Sequence, residues 1–495
     1  MNRVLLRGGR VIDPGTGSDQ IADVLIVDGK VAAVGVGLEA DARAEGAQLV
    51  DVTGKIVGPG FVDLHSHVNT IAGQRLQARD GVTTALELEA GLLPVELAYA
   101  NAQKEGRPIN FGFSASWGMA RAEVLSGVPA EADFVAGLAI LADPAWQGDS
   151  SPTQLRAWLG RLESELEDGA LGIGILQGYA PRTDPREYRA VNELAARAGV
   201  PTFTHVREIT ESDSTTPIDG TEEAARTAMD LGGQVHHCHV NSTSRRHIDR
   251  TLGTIEKARQ GGASITVEAY PYGAGCTGIG AAFLAPERLP VWGLSPTNLV
   301  LVATGERIRD EAHLRHVRST DPGASCIVEF LDESNPADAA LLQRSLAFPD
   351  GIVASDAGPV EWPDGSIDSR EWPLPAGGMT HPRTSGTYAR SIRMMVREQG
   401  AWSWLEAFRR CSYLPARVMD STTPAFAAKG HLGIGADADI TVIDPERVTD
   451  QATYIDSTRP SIGIDYVLVS GEFVVREGDI VIDAYPGRGL RGQLR

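Results

Sequence analysis

The middle of the chain alternates short apolar segments with helical ones, and this alternation limits the possible folds more than any other feature. Candidate strands occupy residues 60–67, 82–89, 110–116, 171–176, 201–205, 234–240, 264–270 and 352–356. Helical patterns occupy residues 152–167, 185–198, 221–231 and 246–260. Strands that alternate with helices are typical of a parallel sheet. Eight such units that close on themselves predict an α/β fold, the (β/α)8 TIM barrel.

The two ends of the chain predict a second, smaller unit. Residues 1–57 alternate β-branched runs with Gly, Asp and Pro turns, and residues 439–475 repeat that texture. We therefore expect residues 1–57 plus 425–495 to form a composite β-sandwich, and residues 58–424 to form the barrel. The connection between the seventh and eighth strands is too long for a plain loop, so we expect an insertion at about 280–345 over the barrel mouth.

Composition and charge exclude several classes of function. The net charge of −20 would repel a polyphosphate, which argues against nucleic acid as a partner. No apolar run reaches the roughly 18 residues of a membrane span, and the amino terminus does not resemble a signal peptide. Cys238, Cys276, Cys326 and Cys411 form no CxxC pair, as expected in a reducing compartment. These features predict a cytoplasmic protein without a membrane partner.

Several predicted strands end in imidazole or carboxylate side chains. In such a barrel the functional residues lie at the carboxyl ends of the strands. The residues at these ends are His65, His67, Glu87, Glu89, His205, His237, His239 and Asp356. The spacing of His65 and His67 puts both rings on one face of a strand. One such pair is ordinary among 11 histidines, but five strands that bring His, Glu and Asp to one mouth predict a metal site with a proton carrier.

Eight motifs give the chain a family resemblance. They are GPGFVDLHSH, GVTT, THVRE, HHCHV, VEAYPYGAGCTG, VASDAG, HPRTSGTYAR and HLGIGADADITVIDP. In this order they resemble the amidohydrolase superfamily, and in particular its N-acyl-D-amino-acid deacylase (D-aminoacylase) branch, over nearly the whole chain. The resemblance implies an enzyme that uses one or two divalent metal ions, Zn2+ first among them. It also implies cleavage of a non-peptide amide C–N bond by a metal-activated water.

The resemblance also implies roles for individual residues. His65 and His67 correspond to paired ligands of one metal, and His205 and His239 to ligands of a second. Asp356 corresponds to the acid/base that takes a proton from water and passes it to the departing nitrogen. His237 shares the strand parity of His239, but we expect it to serve in packing or behind the ligands.

The group that bridges the two metals is where this sequence departs from its family. Residues 171–176 contain no lysine, which many superfamily members carboxylate for this purpose. The cysteine that D-aminoacylases use instead corresponds to Ala90, which follows Glu89. A carboxylate can bridge two cations as well, so we expect Glu89 to replace the bridge, with Glu87 as the fallback. Two acids inside a barrel repel each other unless a cation or a salt bridge to His or Arg compensates.

The resemblance implies four substrate contacts: Tyr179, Tyr270, Tyr272 and Arg383. A guanidinium suits a carboxylate because it can bond both oxygens, although the HPR motif can also be a structural turn that starts a helix. Asn241 stands where the family commonly has lysine, and Trp117 where a histidine is frequent. These two replacements leave a neutral, bulkier or cyclic amide open as the substrate.

Three functions follow from these observations. The first is deacylation of an N-acyl-D-amino acid or a related N-acyl amine. The second is a cyclic amidase of the hydantoinase or dihydroorotase kind, which the absent lysine and the YPY and HPR elements disfavour. The third is a non-catalytic barrel scaffold, against which the retained His and Asp positions argue. A small-molecule amide is the expected partner, and a homo-oligomer is compatible with the sequence.

Overall fold

The computed structural model describes residues 3–420 and 422–494, so positions 1, 2, 421 and 495 of the expected domains lie outside the described residues. The strands are β1 (Arg3–Asp13), β2 (Ser18–Val27), β3 (Lys30–Gly35), β4 (Gln48–Asp51), β5 (Ile56–Pro59), β6 (Phe61–Asp63), β7 (Val82–Leu92), β8 (Asn110–Ser116), β9 (Ile173–Ile175), β10 (Thr202–Thr204), β11 (Val235–His237), β12 (Ile265–Ala269), β13 (Ala274–Gly278), β14 (Leu299–Leu301), β15 (Ser325–Glu329), β16 (Ile352–Val353), β17 (Ile440–Ile443), β18 (Ile464–Val469), β19 (Glu472–Arg476) and β20 (Asp479–Ile480). The α-helices are α1 (Glu39–Ala44), α2 (Ile71–Arg79), α3 (Val95–Glu105), α4 (Trp117–Arg121), α5 (Phe134–Leu138), α6 (Pro144–Gln147), α7 (Pro152–Glu167), α8 (Pro185–Ala198), α9 (Gly220–Leu231), α10 (Val240–Ser244), α11 (Ile248–Gln260), α12 (Glu311–Thr320), α13 (Pro336–Ala347), α14 (Arg383–Ile392), α15 (Trp404–Phe408) and α16 (Leu414–Asp420).

Eight parallel strands form the barrel, and all eight correspond to predicted strands. Their order is β6, β7, β8, β9, β10, β11, β12 and β16. The first and last strands meet through a few bonds beyond their ends: Asp356 N donates to His65 O at 2.8 Å, and Ser355 N donates to the Asp63 carboxylate at 3.0 Å. The (β/α)8 barrel expected from the alternation of segments is therefore confirmed.

The chain termini share one nine-stranded sheet beside the barrel. Its order is β20, β19, β18, β17, β5, β1, β2 and β3, with β4 paired to β1. The two ends of the chain join where β17 pairs antiparallel with β5, for example Val442 opposite Val57. The expected β unit built from both termini is present, and the domain boundaries assigned from the sequence stay a prediction.

The four predicted barrel helices are confirmed as α7, α8, α9 and α11, and their ends carry the expected signals. Ser151 caps α7 in a reciprocal capping box with Gln154, which satisfies two backbone N–H groups that the helix itself leaves free. Asp184 caps α8, and that helix ends at Gly199 with φ of 70°, a conformation that favours glycine. None of the described helices has both the length and the apolar character needed to cross a bilayer.

An inserted sheet lies between β12 and β16. It contains β13, β15 and β14 in antiparallel order, and α12 and α13 accompany it. Its first strand, β13, begins at Ala274, directly after the turn that follows β12. Gly275, Cys276 and Thr277 of β13 line the pocket at the barrel mouth. The insertion therefore contributes a wall to the site.

Candidate metal centre and substrate pocket

Six of the predicted residues converge at the carboxyl ends of five strands. Their ligand atoms form overlapping clusters in which all atoms lie within 4.8 Å of one another. The six residues are His65, His67, Glu89, His205, His239 and Asp356. All are buried except His205, which is half-buried. Imidazole and carboxylate groups gathered this closely suit a zinc-like divalent cation.

Glu89 lies at the middle of this cluster, with one carboxylate oxygen turned to each histidine pair. Its Oε2 is 3.2 Å from His65 Nε2 and 3.7 Å from His67 Nε2. Its Oε1 is 3.0 Å from His205 Nδ1 and 2.7 Å from His239 Nε2. Burial alone would raise the pKa of Glu89, but His65, His239 and His205 outweigh it and hold the pKa well below its ordinary value. The arrangement is that of a carboxylate able to bridge two cations.

Glu87 faces away from the centre of the cluster. Its Oε2 accepts a hydrogen bond from His67 Nδ1 at 2.8 Å, which leaves His67 Nε2 pointing to Glu89 and Asp356. Burial lowers the pKa of His67, but Glu87 and Asp356 outweigh it and raise the pKa to about 9. A carboxylate that binds the outer nitrogen of a ligand histidine fixes its tautomer and orientation. Glu87 is thus placed to position His67 rather than to bridge.

Glu268, on β12, is a functional candidate that the sequence reasoning missed. Its Oε1 accepts from His65 Nδ1 at 2.5 Å, and its Oε2 accepts from His236 Nε2 at 2.9 Å. The same Oε1 accepts from the backbone N of His239 at 3.3 Å. This buried carboxylate therefore holds a residue of each histidine pair. Its signal in the sequence is an acid near the end of the seventh strand, in the YPY motif region.

The sixth strand is shorter than its pattern suggests. β11 ends at His237, and the backbone at His239 takes a φ of 29°, so strand parity does not continue to His239. His237 Nδ1 is 3.1 Å from the Cys238 carbonyl oxygen, and its Nε2 has no partner within the described part of the chain. Burial lowers the pKa of His237 to about 3. His237 lies outside the clusters of ligand atoms found among the described residues.

Asp356 lies between the metal cluster and a buried arginine. Its Oδ1 is 3.5 Å from the Nε2 atoms of both His65 and His67, and 2.8 Å from Arg383 Nη2. Burial would raise the pKa of this carboxyl, but Arg383 and His65 outweigh it and lower the pKa. Its φ of 52° is unusual for a residue other than glycine, and such backbone strain concentrates at functional sites.

Two nitrogen atoms of the buried Arg383 guanidinium donate no hydrogen bond to the described residues. It is 1% exposed, and its Nε and Nη1 atoms have no partner among the described residues. Its guanidinium lies 4.9 Å from the centroid of the Tyr270 ring, and the Tyr270 hydroxyl is likewise unpartnered there. A Cβ placed on Gly275 would lie 3.2 Å from Tyr270 Oη and 3.7 Å from Arg383 Nη1. Two unpaired donors therefore face the glycine of β13.

The other predicted contacts separate into two groups. Tyr179 lines the pocket, where its hydroxyl bonds Thr277 Oγ1 at 2.8 Å and its ring lies 4.6 Å from that of His205. Tyr272 does not line it, because its ring packs 4.3 Å from the Arg390 guanidinium and its hydroxyl donates to Pro382 O at 3.4 Å.

Asn241 and Trp117, the two departures from the family pattern, are both buried beside the site. Asn241 Oδ1 accepts from Tyr270 N at 3.3 Å, and its Nδ2 donates to Tyr272 O at 3.4 Å, so it fixes the turn between them. Trp117 packs edge-on against Trp146, with ring centroids 5.9 Å apart.

The pocket above the cluster is mainly apolar. Its apolar lining includes Met119, Phe134, Leu138, Ile140, Leu141, Trp146, Leu176, Phe283, Trp292, Val328 and Phe330. Arg245 and Glu208 also line it, and they form an ion pair with each other. The Arg245 guanidinium stacks 3.7 Å from the Trp292 ring centroid, which further occupies this cation.

The fold and the cluster define a class: a (β/α)8 barrel whose mouth presents His, Glu and Asp groups arranged for divalent cations. No family model matches the chain. The N-acyl-D-glutamate deacylase of Alcaligenes xylosoxydans xylosoxydans is 28% identical and covers 94% of this chain and 92% of its own. The D-aminoacylase of the same organism is 28% identical, with 96% and 94% covered.

Solved structures show the same fold. The N-acyl-D-glutamate deacylase from Bordetella bronchiseptica, complexed with zinc and a phosphonate inhibitor, has a TM-score of 0.76 at 24% identity and covers 99% of this chain and 100% of its own. A D-hydantoinase matches less well, with a TM-score of 0.60 at 16% identity and 99% of each chain covered. The resemblance to the amidohydrolase superfamily and its D-aminoacylase branch, predicted from the motifs, is confirmed.

Proposed function

We propose that this protein is a zinc-dependent amidohydrolase that removes the acyl group from an N-acyl-D-amino acid or a related N-acyl amine. The observation that carries the proposal is the position of Glu89, whose two oxygens each face a different histidine pair. Four imidazoles that all turn a ring nitrogen to one buried carboxylate supply the nitrogen and oxygen ligands that a pair of zinc-like cations needs. The full-length similarity to deacylases supports the choice of reaction.

The residues present fit two divalent cations. His65, His67 and Asp356 would hold one, His205 and His239 would hold the other, and Glu89 would contact both. Glu87 and Glu268 already bind the outer nitrogens of His67 and His65, so the inner Nε2 atoms of both rings, 3.2 Å apart, turn towards the cluster where they could act as ligands. Zinc bound here would lower the pKa of a water to about 7 and polarise an amide carbonyl.

Asp356 is the residue we propose for proton transfer. Because Arg383 helps to hold the pKa of its carboxyl below the ordinary value, Asp356 is ionised at neutral pH and can accept a proton from the attacking water. Its Oδ1 lies 3.5 Å from the Nε2 atoms of both His65 and His67, which keeps it at the reacting position. The same carboxyl can then give the proton to the leaving nitrogen.

Arg383 and Tyr270 are proposed to bind the carboxylate of the amino acid. The unpaired Arg383 Nη1 and Tyr270 hydroxyl both face the pocket wall at Gly275. A carboxylate placed there would satisfy both donors by charge-assisted hydrogen bonds. Arg245, the one Arg or Lys among the described lining residues, is already paired with Glu208. The pocket therefore suits an amino acid with a neutral side chain better than one with a second carboxylate.

A single panel tests the proposal. The purified protein is assayed with N-acetyl-D-amino acids, N-acetyl-L-amino acids and cyclic amides, first with zinc, then with chelator, and then with zinc restored. We expect zinc-restored turnover of N-acyl-D-amino acids with neutral side chains. Preferred turnover of hydantoins or dihydroorotate would instead indicate a cyclic amidase.

A second result would indicate a scaffold. Less than about half an equivalent of bound zinc, together with no turnover of any panel member, would overturn the enzyme assignment. We also expect the protein to act in the cytoplasm on small molecules without a nucleic-acid partner, alone or as a homo-oligomer. Gel filtration of the zinc-loaded protein measures the oligomeric state.

A further inference from the structure

An apolar chamber opens from the metal centre on the side opposite Arg383. It is formed by Met119, Leu138, Ile140, Leu141, Trp146 and Leu176. Met119 and Leu176 follow the third and fourth barrel strands, whereas Asp356 and its partner Arg383 follow the eighth. The described side chains of the chamber carry no charge. The pocket thus has a polar end beside Arg383 and an apolar end across the barrel.

Residues 134–141 contribute Leu138, Ile140 and Leu141 to the chamber and pack against His67, a proposed metal ligand. The Phe134 ring stacks on the His67 ring, with centroids 4.1 Å apart and planes 4° from parallel. Leu138 and Leu141 follow on the same segment and line the pocket. The apolar chamber therefore begins directly beside the place where the amide would be cleaved.

Strand β13 runs along the pocket wall from the side of Arg383 towards the apolar chamber. At one end, Gly275 faces Arg383 and Tyr270. At the other, a Cβ placed on Gly278 would lie 3.5 Å from both Leu138 and Leu141. Three residues of extended chain span about 10 Å, so the backbone beside the carboxylate anchor and the backbone beside Leu138 and Leu141 lie about 10 Å apart along β13.

An acetyl group is too short for this distance. In an N-acyl amino acid the carboxylate carbon and the amide carbon are under about 4 Å apart, so the acetyl methyl ends about 5 Å from the carboxylate. About 5 Å of pocket then remains, enough for about four more carbons. The methyl of an acetyl group would therefore not reach the apolar chamber.

We propose that the acyl group removed by this enzyme is a bulky apolar one, of about six carbons or an aromatic ring, and that the apolar chamber binds it. This inference rests on the proposed deacylase function and names its substrate class. Each methylene buried in such a chamber improves binding by about four-fold, whereas a terminal carboxylate would lose its hydration without finding a cation. N-hexanoyl substrates are therefore preferred to N-acetyl and to N-succinyl ones.

The test compares kcat/KM along an acyl series on one amino acid: acetyl, butanoyl, hexanoyl, octanoyl, benzoyl and succinyl. We expect hexanoyl to exceed both acetyl and succinyl by at least about ten-fold. Equal or better turnover of acetyl would overturn the acyl assignment and leave the deacylase function standing. A complete lack of zinc-dependent turnover across the series would overturn the deacylase function itself.

Two variants locate the preference in the apolar chamber. A Cβ on Gly118 would lie 3.6 Å from Trp146 and 3.7 Å from Leu176, so Gly118→Leu fills the chamber. We expect its ratio of hexanoyl to acetyl kcat/KM to fall at least about ten-fold, and Leu138→Ala to shift the optimum to octanoyl. Gly160→Leu is the matched control, since Gly160 is exposed on α7 with nothing within 4 Å of its added Cβ. An unchanged ratio in a folded, zinc-loaded Gly118→Leu protein would overturn the assignment.

Discussion

Glu268→Gln tests whether a residue behind the ligands controls metal binding. The carboxylate accepts from His65 Nδ1 at 2.5 Å, from His236 Nε2 at 2.9 Å and from His239 N at 3.3 Å. Glutamine keeps the shape and one acceptor oxygen but removes the charge. The variant should therefore fold with the same packing while it orients His65 less firmly.

The expected magnitude follows from these contacts. A hydrogen bond to a charged group contributes about 1.5–3 kcal/mol, and a neutral one about 1 kcal/mol. Loss of the charge at the bond to His65 thus costs about 0.5–2 kcal/mol, or about 2- to 30-fold in zinc affinity. The upper part of this range overlaps the 10- to 100-fold that changes to such outer partners typically cost.

Competition with a chromophoric chelator measures the zinc affinity of the variant. The absorption spectrum of the cobalt-substituted protein reports ligand geometry, which a merely structural role for Glu268 would leave unchanged. Glu165→Gln is the control, because Glu165 is another fully buried carboxylate, bound to Val95 N at 2.6 Å and not among the clustered ligand residues of the described chain. It should lower stability without weakening zinc. If Glu268→Gln binds zinc as tightly as the wild type and gives the same cobalt spectrum, the reasoning is refuted.

Three further predictions concern the cluster. Asp356→Asn should retain its zinc and lose about 10²- to 10⁴-fold in kcat, and a normal rate in a zinc-loaded variant would contradict its role in proton transfer. Glu89→Gln should lose at least one equivalent of zinc by elemental analysis, whereas Glu87→Gln should keep more zinc than Glu89→Gln; the reverse order would make Glu87 the bridge. In the metal-free protein, burial lowers the pKa of His67, but Glu87 and Asp356 outweigh it and raise the pKa to about 9. Because the folded pKa exceeds the ordinary value near 6.5, the stabilisation from protonated His67 is complete below about pH 6.5 and is lost as pH rises through about 9. Zinc must displace that proton, so zinc affinity, measured by titration calorimetry, should rise between pH 7 and 9. Over the same range the metal-free protein should lose stability in chemical denaturation. A zinc affinity that falls, or a stability that rises, across this pH range would contradict the assignment.

The barrel could be predicted because its signals are local. Short stretches of sequence are enough to indicate an apolar strand or a helix start; Ser151 and Gln154, which form the capping box of α7, are an example. The strand-end rule then placed His65, Glu89 and Asp356 together although they are far apart in sequence. Glu89 could be preferred to Glu87 only by comparison with relatives, since both have the same parity on β7.

The rest of the site depends on where strands end and how they turn. His236 and Glu268 meet because β11 and β12 lie side by side in the barrel, a register that the sequence alone does not give. The sequence pattern assigned His237 and His239 to the same face of one strand, but the positive φ at His239 ends the alternation of faces before that residue. Tyr272 follows Tyr270 by two residues, yet the turn into β13 carries it away from the pocket to pack against Arg390.

The junction of the first and last barrel strands has a consequence for how the protein responds to metal supply. β16 is only two residues long, and a few hydrogen bonds beyond it reach the first strand, such as Asp356 N to His65 O at 2.8 Å. A cation shared by His65, His67 and Asp356 would tie both sides of that junction together. Chelation should then open the cylinder at this seam before the remaining strands separate, so that zinc starvation removes the shape of the enzyme along with its activity.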